Sequence, residues 1–232
     1  MKVAIIPARG GSKRVPRKNI RTFAGRPMLS WPIAAARDAG LFDRIIVSSD
    51  DAEIAAIARE AGAETPFLRP DDLADAFTGT QAVVRHALRK LAAQGSPADH
   101  ACCIYATAAF VTSEFLCQGW ESLAAAGKDY AFSVTSFPAP IQRALRIRED
   151  GTLEPIYPEF VPVRSQDLEP AYHDAGQFYW GRAQAFLDDV PLFSPASVPV
   201  VLPRHLVHDI DTEEDWIRAE LVFRALRGLS VA

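Results

Sequence analysis

Short apolar runs alternate with amphipathic segments along most of the first 135 residues. Four runs rich in β-branched and apolar residues predict buried strands; they are Lys2–Ile6, Arg44–Ser48, Ala101–Tyr105 and Tyr130–Thr135. The segments near 27–39, 52–61, 78–93 and 113–126 predict helices. Strands that alternate with helices favour a mainly parallel sheet covered on both faces. We therefore expect an α/β, Rossmann-like fold whose ligands bind beyond the C-terminal ends of the strands.

Residue types that are favoured at helix ends mark where the predicted helices begin and end. Pro27 is tolerated in a first helical turn, and either Asp50 or Asp51 can cap the second helix. Thr78 is a candidate cap for the third helix, and Gly127 follows the fourth as a C-terminal stop.

The pattern changes between residues 136 and 172, where prolines become frequent and Glu149-Asp150-Gly151 predicts a hairpin turn. This stretch does not resemble a strand-helix-strand unit, so we expect an excursion from the main sheet that serves as a dimer contact or a lid. Beyond it, Gly176–Trp180 and Val198–Leu202 predict strands, and 212–226 predicts a last amphipathic helix. Residues 1–232 are interpreted as one domain carrying this excursion.

Composition narrows the class of protein. The chain has 232 residues, 49% of them hydrophobic and 23% charged, and its mean hydropathy is close to zero, as in ordinary globular proteins. A net charge of −4 argues against a nucleic-acid binder. Three cysteines are too few for a disulfide framework or a zinc site. The apolar run before Pro7 is too short for a signal peptide or a membrane span, so a cytoplasmic protein is expected.

The loop Pro7–Asn19 concentrates positive charge directly after the first strand. It contains the glycine pair Gly10-Gly11 and five cations, namely Arg9, Lys13, Arg14, Arg17 and Lys18. Glycine lets backbone N–H groups approach an anion closely, so the loop predicts a triphosphate site. The alternative is a solvated basic turn. The spacing matches neither a Walker P-loop nor a dinucleotide fingerprint.

Two aspartates near the C-terminus form a second motif, His208-Asp209-Ile210-Asp211-Thr212. In an extended segment Asp209 and Asp211 point the same way, and two carboxylates together with substrate phosphates suit Mg²⁺. A metal-bound phosphate beside a basic loop is typical of phosphoryl or nucleotidyl transfer. Alternatively, Asp211 or Thr212 caps the final helix; the two interpretations are compatible.

These motifs, in order along nearly the whole chain, resemble the CMP-sialic acid synthetases (acylneuraminate cytidylyltransferases). The matching stretches are Ile5–Lys13, Pro16–Asn19, Val47–Asp51, Arg69-Pro70, Tyr105–Thr107, Arg164–Asp167 and Asp209–Asp211. Further stretches are similar to the branch of this family that acts on pseudaminic acid, a bacterial nonulosonic acid. They are Ser136–Pro138, Pro140–Ala144 and Tyr172–Trp180.

The resemblance implies a nucleotide-diphospho-sugar transferase type of fold and a reaction in which CTP and a nonulosonic acid give a CMP-sugar and pyrophosphate, with Mg²⁺. It implies nucleotide contacts from Arg9, Gly10, Gly11, Ser12, Lys13, Lys18, Asn19, Arg69 and Thr80. It implies sugar contacts from Tyr105, Gln142, Arg143, Arg164, Gln166, His173, Asp174, Gln177 and Tyr179. Asp209 and Asp211 would hold the metal, and Lys18, Arg9 and Asp211 would be catalytic. The family is commonly dimeric, so a homodimer is expected.

Departures from the pattern bear on the substrate. Sialic acid enzymes usually have Gln-Pro-Thr-Ser-Pro where this chain has Tyr105-Ala106-Thr107-Ala108-Ala109, which turns the expectation from N-acetylneuraminate to pseudaminic acid. The alternatives that remain are N-acetylneuraminate, legionaminate or ketodeoxyoctonate as the acceptor, a guanylyl- or uridylyl-transferring relative, and a non-catalytic nucleotide-binding module. His173-Asp174 could also be a structural pair, and the Phe178-Tyr179-Trp180 run could belong to the core.

Overall fold

The computed structural model describes residues 1–12, 14–75 and 78–229, and its main feature is a six-stranded sheet with helices on both faces. In chain order the elements are β1 (Lys2–Pro7), β2 (Thr22–Phe23), β3 (Arg26–Pro27), α1 (Ser30–Asp38), β4 (Arg44–Ser48), α2 (Ala52–Glu60), α3 (Thr80–Ala93), β5 (His100–Ile104), α4 (Ser113–Ala126), β6 (Tyr130–Ser136), β7 (Leu145–Ile147), β8 (Leu153–Pro155), β9 (Tyr172–Arg182), α5 (Ala183–Leu187), β10 (Ser197–Val201) and α6 (Glu213–Leu226).

The order of strands in the main sheet is β10-β6-β9-β5-β1-β4. β1 pairs in parallel with β4 and β5, and β10 pairs in parallel with β6, whereas β9 runs antiparallel between β5 and β6. The prediction of a mainly parallel α/β sheet is therefore confirmed. Among the described residues no helix is both long and apolar enough to cross a lipid bilayer.

Alternate residues of β1 point to opposite faces, as the pleat of a strand requires. Ala4 and Ile6 belong to the core shared with α1, α2 and α4, and Val3 and Ile5 belong to the core shared with α3 and α5. This is why β1 has an almost continuous apolar run instead of an alternating one.

A third core cluster fixes the C-terminal helix against the N-terminal region. Trp216 of α6 contacts Phe23 of β2 edge to face, with ring centroids 5.3 Å apart, and Phe223 contacts the same ring at 5.3 Å. Val15 and Ile210 are buried in this cluster as well. The packing brings the start of α6 next to the loop after β1.

Several predicted ends are confirmed. The Asp51 side chain accepts hydrogen bonds from the Glu53 and Ile54 N–H groups and caps α2. Thr212 and Asp215 form a reciprocal capping box at α6. Gly127 ends α4 in the left-handed conformation at φ 60°.

Three predictions about elements are wrong in their bounds. Pro27 pairs with Thr22 in the small hairpin β2–β3, so α1 begins at Ser30 instead. Thr78 does not cap α3: its hydroxyl bonds Asp75, and Gly79 occupies the cap position without a side-chain bond.

The third correction is to the strand predicted at 176–180, which extends over residues 172–182. Its first part pairs with β6 beyond a bulge, where Phe132 faces Tyr179 but Val134 faces Asp174. A bulge of this kind breaks the period of two on which the prediction relied.

Between β6 and β9 the chain leaves the main sheet, as predicted. β7 and β8 form an antiparallel hairpin around Asp150-Gly151, with Gly151 at φ 82°. Short 3₁₀ turns at Ile141–Arg143, Pro158–Phe160 and Ser165–Asp167 make up much of the rest. Many apolar side chains of this excursion face solvent.

Candidate active site

A cavity of about 820 Å³ lies beyond the carboxyl ends of β1 and β5. Eight of the predicted site residues line it: Arg9, Gly11, Ser12, Lys18, Asn19, Arg69, Thr80 and Tyr105. The segment after the Asp71–Leu73 turn and the start of α3 form another wall, with Leu73, Ala74, Asp75, Thr78 and Val83. The size and position of the cavity are those of a small-molecule site in an open α/β sheet.

Gly10 lies where the loop meets the residues after β4. Its N–H donates to Asp50 Oδ1 at 3.0 Å, so this amide is engaged within the protein. A Cβ at position 10 would lie 2.7 Å from Asp51 Oδ2, whereas a Cβ at Gly11 would meet nothing within 4 Å. Gly10 is thus required for close packing, and Gly11 is the glycine that lines the cavity.

Two cations of the loop meet the C-terminal aspartate motif. Lys18 Nζ donates to the Ile210 carbonyl and lies 3.5 Å from Asp211 Oδ1. Arg14 Nη2 lies 2.8 Å from the same Asp211 oxygen. The predicted basic loop and the predicted carboxylates, distant in sequence, therefore share one place in the structure.

Asp209 lies two residues before Asp211 and makes no hydrogen bond or ion pair within the described residues. Partial burial and, second, the nearby Asp211 carboxylate raise its pKa above the usual value. Two adjacent carboxylates with one left unpaired are a donor set that fits Mg²⁺, with phosphate oxygens and water as the remaining ligands. Within the described residues no group of three or more His, Cys, Asp or Glu side chains forms a metal cluster.

Arg69 and Asn19 are the buried polar residues of the wall. Arg69 is only 5% exposed; its Nη2 is 3.5 Å from Asp50 Oδ1, and its Nε has no partner. Burial lowers the pKa of this guanidinium, with Asp50 acting in the opposite direction. Asn19 donates from Nδ2 to the Arg9 carbonyl at 2.9 Å, which holds the loop in shape.

A second cavity of about 220 Å³ adjoins the first, and Thr80 and Tyr105 line both. Asp174 and Tyr179 contribute its polar side, and Val84, Cys103, Phe186, Leu192 and Phe193 contribute its apolar side. Thr80 Oγ1 is 3.2 Å from Tyr105 Oη, and the Tyr179 hydroxyl donates to Asp174 Oδ2 at 2.7 Å. Burial raises the pKa of both tyrosines.

Four of the predicted sugar residues are on the excursion and line neither cavity of this chain in the part that the structure describes. Gln142 and Arg143 donate to the carbonyls of Glu169 and Val163, Arg164 pairs with Asp167 at 2.6 Å, and Gln166 is exposed.

The remaining predicted residues have other surroundings. His173 is exposed and contacts the Phe137 ring, and Gln177 is buried behind the end of β5, where its backbone carbonyl accepts from the Tyr105 N–H. Lys13 lies outside the described residues.

Sequence reasoning missed the part played by Asp50, which it considered only as a helix cap. Asp50 holds both the Gly10 amide and the Arg69 guanidinium. Its position could have signalled this, because it follows β4, the parallel neighbour of β1, and the carboxyl ends of such strands meet at one edge of the sheet.

Comparisons with known proteins agree with this arrangement. A sequence model of the cytidylyltransferase family matches residues 3–149. The pseudaminic acid cytidylyltransferase of Campylobacter jejuni is 43% identical over 222 residues, covering 96% of this chain and 96% of that protein. The CMP-N,N'-diacetyllegionaminic acid synthase of Legionella pneumophila is 31% identical over 225 residues, covering 94% of each.

A solved structure, of a CMP:2-keto-3-deoxy-manno-octonic acid synthetase in complex with CTP, has the same fold. It superposes with a TM-score of 0.70 at 14% sequence identity and covers 97% of this chain and 99% of that one. This similarity supports the fold class predicted from the sequence.

Proposed function

This chain belongs to the cytidylyltransferase family, and we propose that it couples CTP to pseudaminic acid and releases pyrophosphate. The observation that carries the proposal is the 43% identity, over 96% of both chains, to a pseudaminic acid cytidylyltransferase. The cavity supplies the matching chemistry, since a nucleoside triphosphate needs concentrated positive charge for its phosphates and the basic loop brings Arg9, Arg14 and Lys18 to the lining.

In the proposed reaction the anomeric hydroxyl oxygen of the acceptor attacks the α-phosphorus of CTP. A new phosphorus–oxygen bond forms, the bond from the α-phosphorus to the bridging oxygen breaks, and pyrophosphate leaves with the electron pair while the hydroxyl proton is released. Such transfers depend on alignment and on neutralising phosphate charge. Arg9, Arg14 and Lys18 line the cavity and supply that charge.

Asp209 and Asp211 are the residues that would hold Mg²⁺. The ion, when bound, would neutralise charge on the phosphate oxygens and on the leaving group. Asp211 is paired with Arg14 and Lys18, so the residues that would hold the ion lie next to the cations that would neutralise the phosphates.

For the acceptor sugar, we propose contacts from the second cavity, through Tyr105, Asp174 and Tyr179, and from the excursion. We assign four residues of the excursion to the site of the other copy in a homodimer, because they line neither cavity of their own chain in the part that the structure describes; they are Gln142, Arg143, Arg164 and Gln166. We also propose a cytoplasmic location.

The apolar surface of the excursion supports the homodimer. Among the described residues, nine of the sixteen exposed large hydrophobic side chains fall between residues 137 and 172. These nine are Phe137, Ile141, Leu145, Ile147, Leu153, Ile156, Tyr157, Val161 and Tyr172. Concentrated apolar surface of this kind marks an interaction site.

The test is a pyrophosphate-release assay with Mg²⁺ in which each of the four ribonucleoside triphosphates is combined with each of four acids: pseudaminic, legionaminic, N-acetylneuraminic and ketodeoxyoctonic acid. We expect release with CTP and pseudaminic acid at the highest kcat/KM. Higher turnover with another acid would identify that acid, instead of pseudaminic acid, as the acceptor. CTP binding without release for any acid would favour the non-catalytic nucleotide-binding module.

A further inference from the structure

Asp50 joins two segments around the main cavity that are far apart in the sequence. Its Oδ1 atom accepts from the Gly10 N–H at 3.0 Å and lies 3.5 Å from Arg69 Nη2. Gly10 belongs to the loop after β1, and Arg69 lies shortly before the Asp71–Leu73 turn. The side chain of Asp50 is 21% exposed and that of Arg69 is 3% exposed, so the carboxylate meets a guanidinium that water hardly reaches.

The backbone of Arg69 is attached at the same place. Its N–H donates to the Ser49 carbonyl at 2.8 Å, and Ser49 is the residue before Asp50. The backbone and the guanidinium of Arg69 are therefore both held by residues that directly follow β4. Because β4 is the parallel neighbour of β1, Asp50 also lies beside the loop that follows β1.

The Arg69 guanidinium has more donors than partners. A guanidinium carries five N–H donors, and among the described residues the contact of Nη2 with Asp50 is its only hydrogen bond or ion pair. Its Nε atom is buried without a partner. Buried polar groups are costly unless they are hydrogen-bonded, so the remaining donors require an acceptor.

The position of Arg69 indicates where that acceptor comes from. Of Gly10, Asp50 and Arg69, only Arg69 lines the main cavity. A nucleotide bound there offers several acceptor oxygens to a guanidinium. Asp50 itself does not line the cavity, and a carboxylate would repel phosphate oxygens, so any effect of Asp50 on the nucleotide passes through its neighbours.

We propose that Asp50 is a positioning residue for nucleotide binding, which holds the Arg69 guanidinium so that its remaining donors face an acceptor group of CTP. The negative charge of the carboxylate keeps this buried cation in one orientation, and the same oxygen fixes the Gly10 amide. The inference rests on the proposed use of CTP and deepens it, because it assigns part of the affinity for CTP to a residue outside the cavity lining.

The substitution Asp50→Asn separates the two contacts of Asp50. The amide oxygen can still accept from the Gly10 N–H, whereas the charge that attracts Arg69 is lost. Calorimetry on the full chain, without acceptor sugar, should show a Kd for CTP raised about fivefold, the scale of one hydrogen bond. Asp50→Ala removes both contacts and should raise Kd further.

A double-mutant cycle shows whether Asp50 acts through Arg69. Arg69→Gln alone should raise Kd for CTP by more than Asp50→Asn does, because it removes the guanidinium. When Asp50→Asn is added to Arg69→Gln, Kd should change by less than about twofold, since no guanidinium is left to orient. Equal losses from Asp50→Asn in the two backgrounds would overturn the inference.

Steady-state kinetics give a readout that a general loss of structure would not reproduce. Asp50→Asn should raise KM for CTP and leave kcat at saturating CTP close to the wild-type value, as expected for a group that contributes to binding alone. Displacement of the whole loop after β1 would also move Lys18 and lower kcat. A fall in kcat without a change in KM would therefore contradict the positioning of Arg69.

Glu64→Gln is the matched control. Glu64 pairs with Arg44, the first residue of β4, at 2.6 Å, and neither residue lines the main cavity or the second one. This variant also removes the charge of a carboxylate that holds an arginine, but at the opposite end of β4 from Asp50. Its Kd for CTP should equal that of the wild-type chain.

The outcomes distinguish this inference from the proposed function. Failure of the wild-type chain to bind CTP would overturn both together. CTP binding by the wild-type chain with an unchanged Kd in Asp50→Asn would overturn the inference alone. Should Asp50→Asn not fold, Asp50→Glu takes its place in the cycle, because it keeps an acceptor for Gly10 and shifts the charge by one methylene group; equal losses in the two backgrounds would have the same consequence.

Discussion

At the scale of single residues, the neighbouring glycines Gly10 and Gly11 have different structural roles. Gly10 is held by Asp50 through its N–H and faces Asp51 so closely that a Cβ would lie 2.7 Å from a carboxylate oxygen. Gly11 has open space where its Cβ would be. The loop therefore tolerates one added methyl group and not the other.

Gly10→Ala should push Asp51 from its place at the start of α2. We expect a loss of about 1–3 kcal/mol in the free energy of unfolding, the usual cost of overpacking, and weaker CTP binding because the loop moves. Gly11→Ala, the matched control, should change the unfolding free energy by less than about 0.5 kcal/mol. Urea titrations of both variants check this, and equal losses in the two would contradict the packing role of Gly10.

Asp211 is the residue on which the proposed chemistry depends most. Asp211→Asn keeps the shape of the side chain and removes the charge that pairs with Arg14 and Lys18. With the fold intact, we expect kcat to fall by a factor on the order of 10² or more, the scale seen when one charge-stabilising group is removed.

Pyrophosphate release at saturating CTP and Mg²⁺ measures this loss. Glu214→Gln is the control, since Glu214 is an exposed carboxylate of the same region without a hydrogen bond or ion pair in the described residues. Near wild-type turnover in Asp211→Asn would remove this residue from both the metal site and the catalytic set.

Lys18→Ala should also lower turnover severely.

At the scale of elements, the Asp51 carboxylate caps α2, and the stability that it contributes should depend on pH. Burial would raise the pKa of Asp51, but hydrogen bonds from the Ile54 N–H, Arg17 and the Glu53 N–H outweigh burial and lower it below the usual 3.8. A carboxyl whose pKa is lowered by folding stabilises the native state above the unfolded pKa. That stabilisation is lost as the pH falls through the folded value.

We therefore expect Asp51→Ala to cost about 1 kcal/mol of unfolding free energy at pH 7, the typical value of an N-cap. Asp51→Asn should cost less because its oxygen still accepts from the helix N–H groups, and its deficit should shrink when urea titrations are repeated near pH 3. Glu60→Gln on the same helix serves as the control. A deficit for Asp51→Asn that is independent of pH would contradict the role of the charge.

Elements that depend on residues close in sequence could be predicted, and features that depend on residues far along the chain could not. The apolar run of β1 and the cap Asp51 carry their information within a few residues. The extension of β9 depends on the partner strand, because Asp174, His173 and Tyr172 pair with Val134, Thr135 and Ser136 of β6 beyond the bulge. Likewise, α1 starts at Ser30 because Pro27 pairs with Thr22, which single-sequence propensity does not include.

The same distinction applies to the candidate site. The loop Arg9–Asn19 could be identified from its composition, because cations and glycines cluster within it. That Lys18 meets Asp211, or that Thr80 meets Tyr105, follows from how α6 packs against the N-terminal region and how α3 packs on the sheet. Family resemblance named these residues, and only the packing shows which of them touch.

At the scale of the whole molecule, charge and apolar surface are distributed differently. The net charge is −4, yet the cavity has Arg9, Arg14, Lys18 and Arg69 in its wall. The exposed apolar residues gather on the excursion instead. In the homodimer that we propose, the second copy would bury the excursion, and the sugar residues that we assign to the excursion would reach the cavity of that copy.

The homodimer is tested by charging the tip of the hairpin. Ile147 is 75% exposed and Leu153 is 66% exposed on paired strands, so Ile147→Asp with Leu153→Asp should leave the fold intact and prevent association. By light scattering, the wild-type chain should have twice its mass of 25.4 kDa, and the double variant a single chain mass. Ile217→Asp, on the 57% exposed Ile217 of α6, should remain dimeric.

Turnover separates a structural dimer from one that completes the site. If the excursion of one copy supplies Arg143 or Arg164 to the other, the monomeric variant should keep CTP binding and lose most of its kcat/KM for the acceptor, because the nucleotide cavity is built within one chain. Mixing Asp211→Asn with Arg143→Ala under conditions that allow exchange should then restore part of the activity, since one site of the mixed dimer combines an intact Asp211 with an intact Arg143. A fully active monomer would show that each chain works alone, and would return the excursion residues to a structural role.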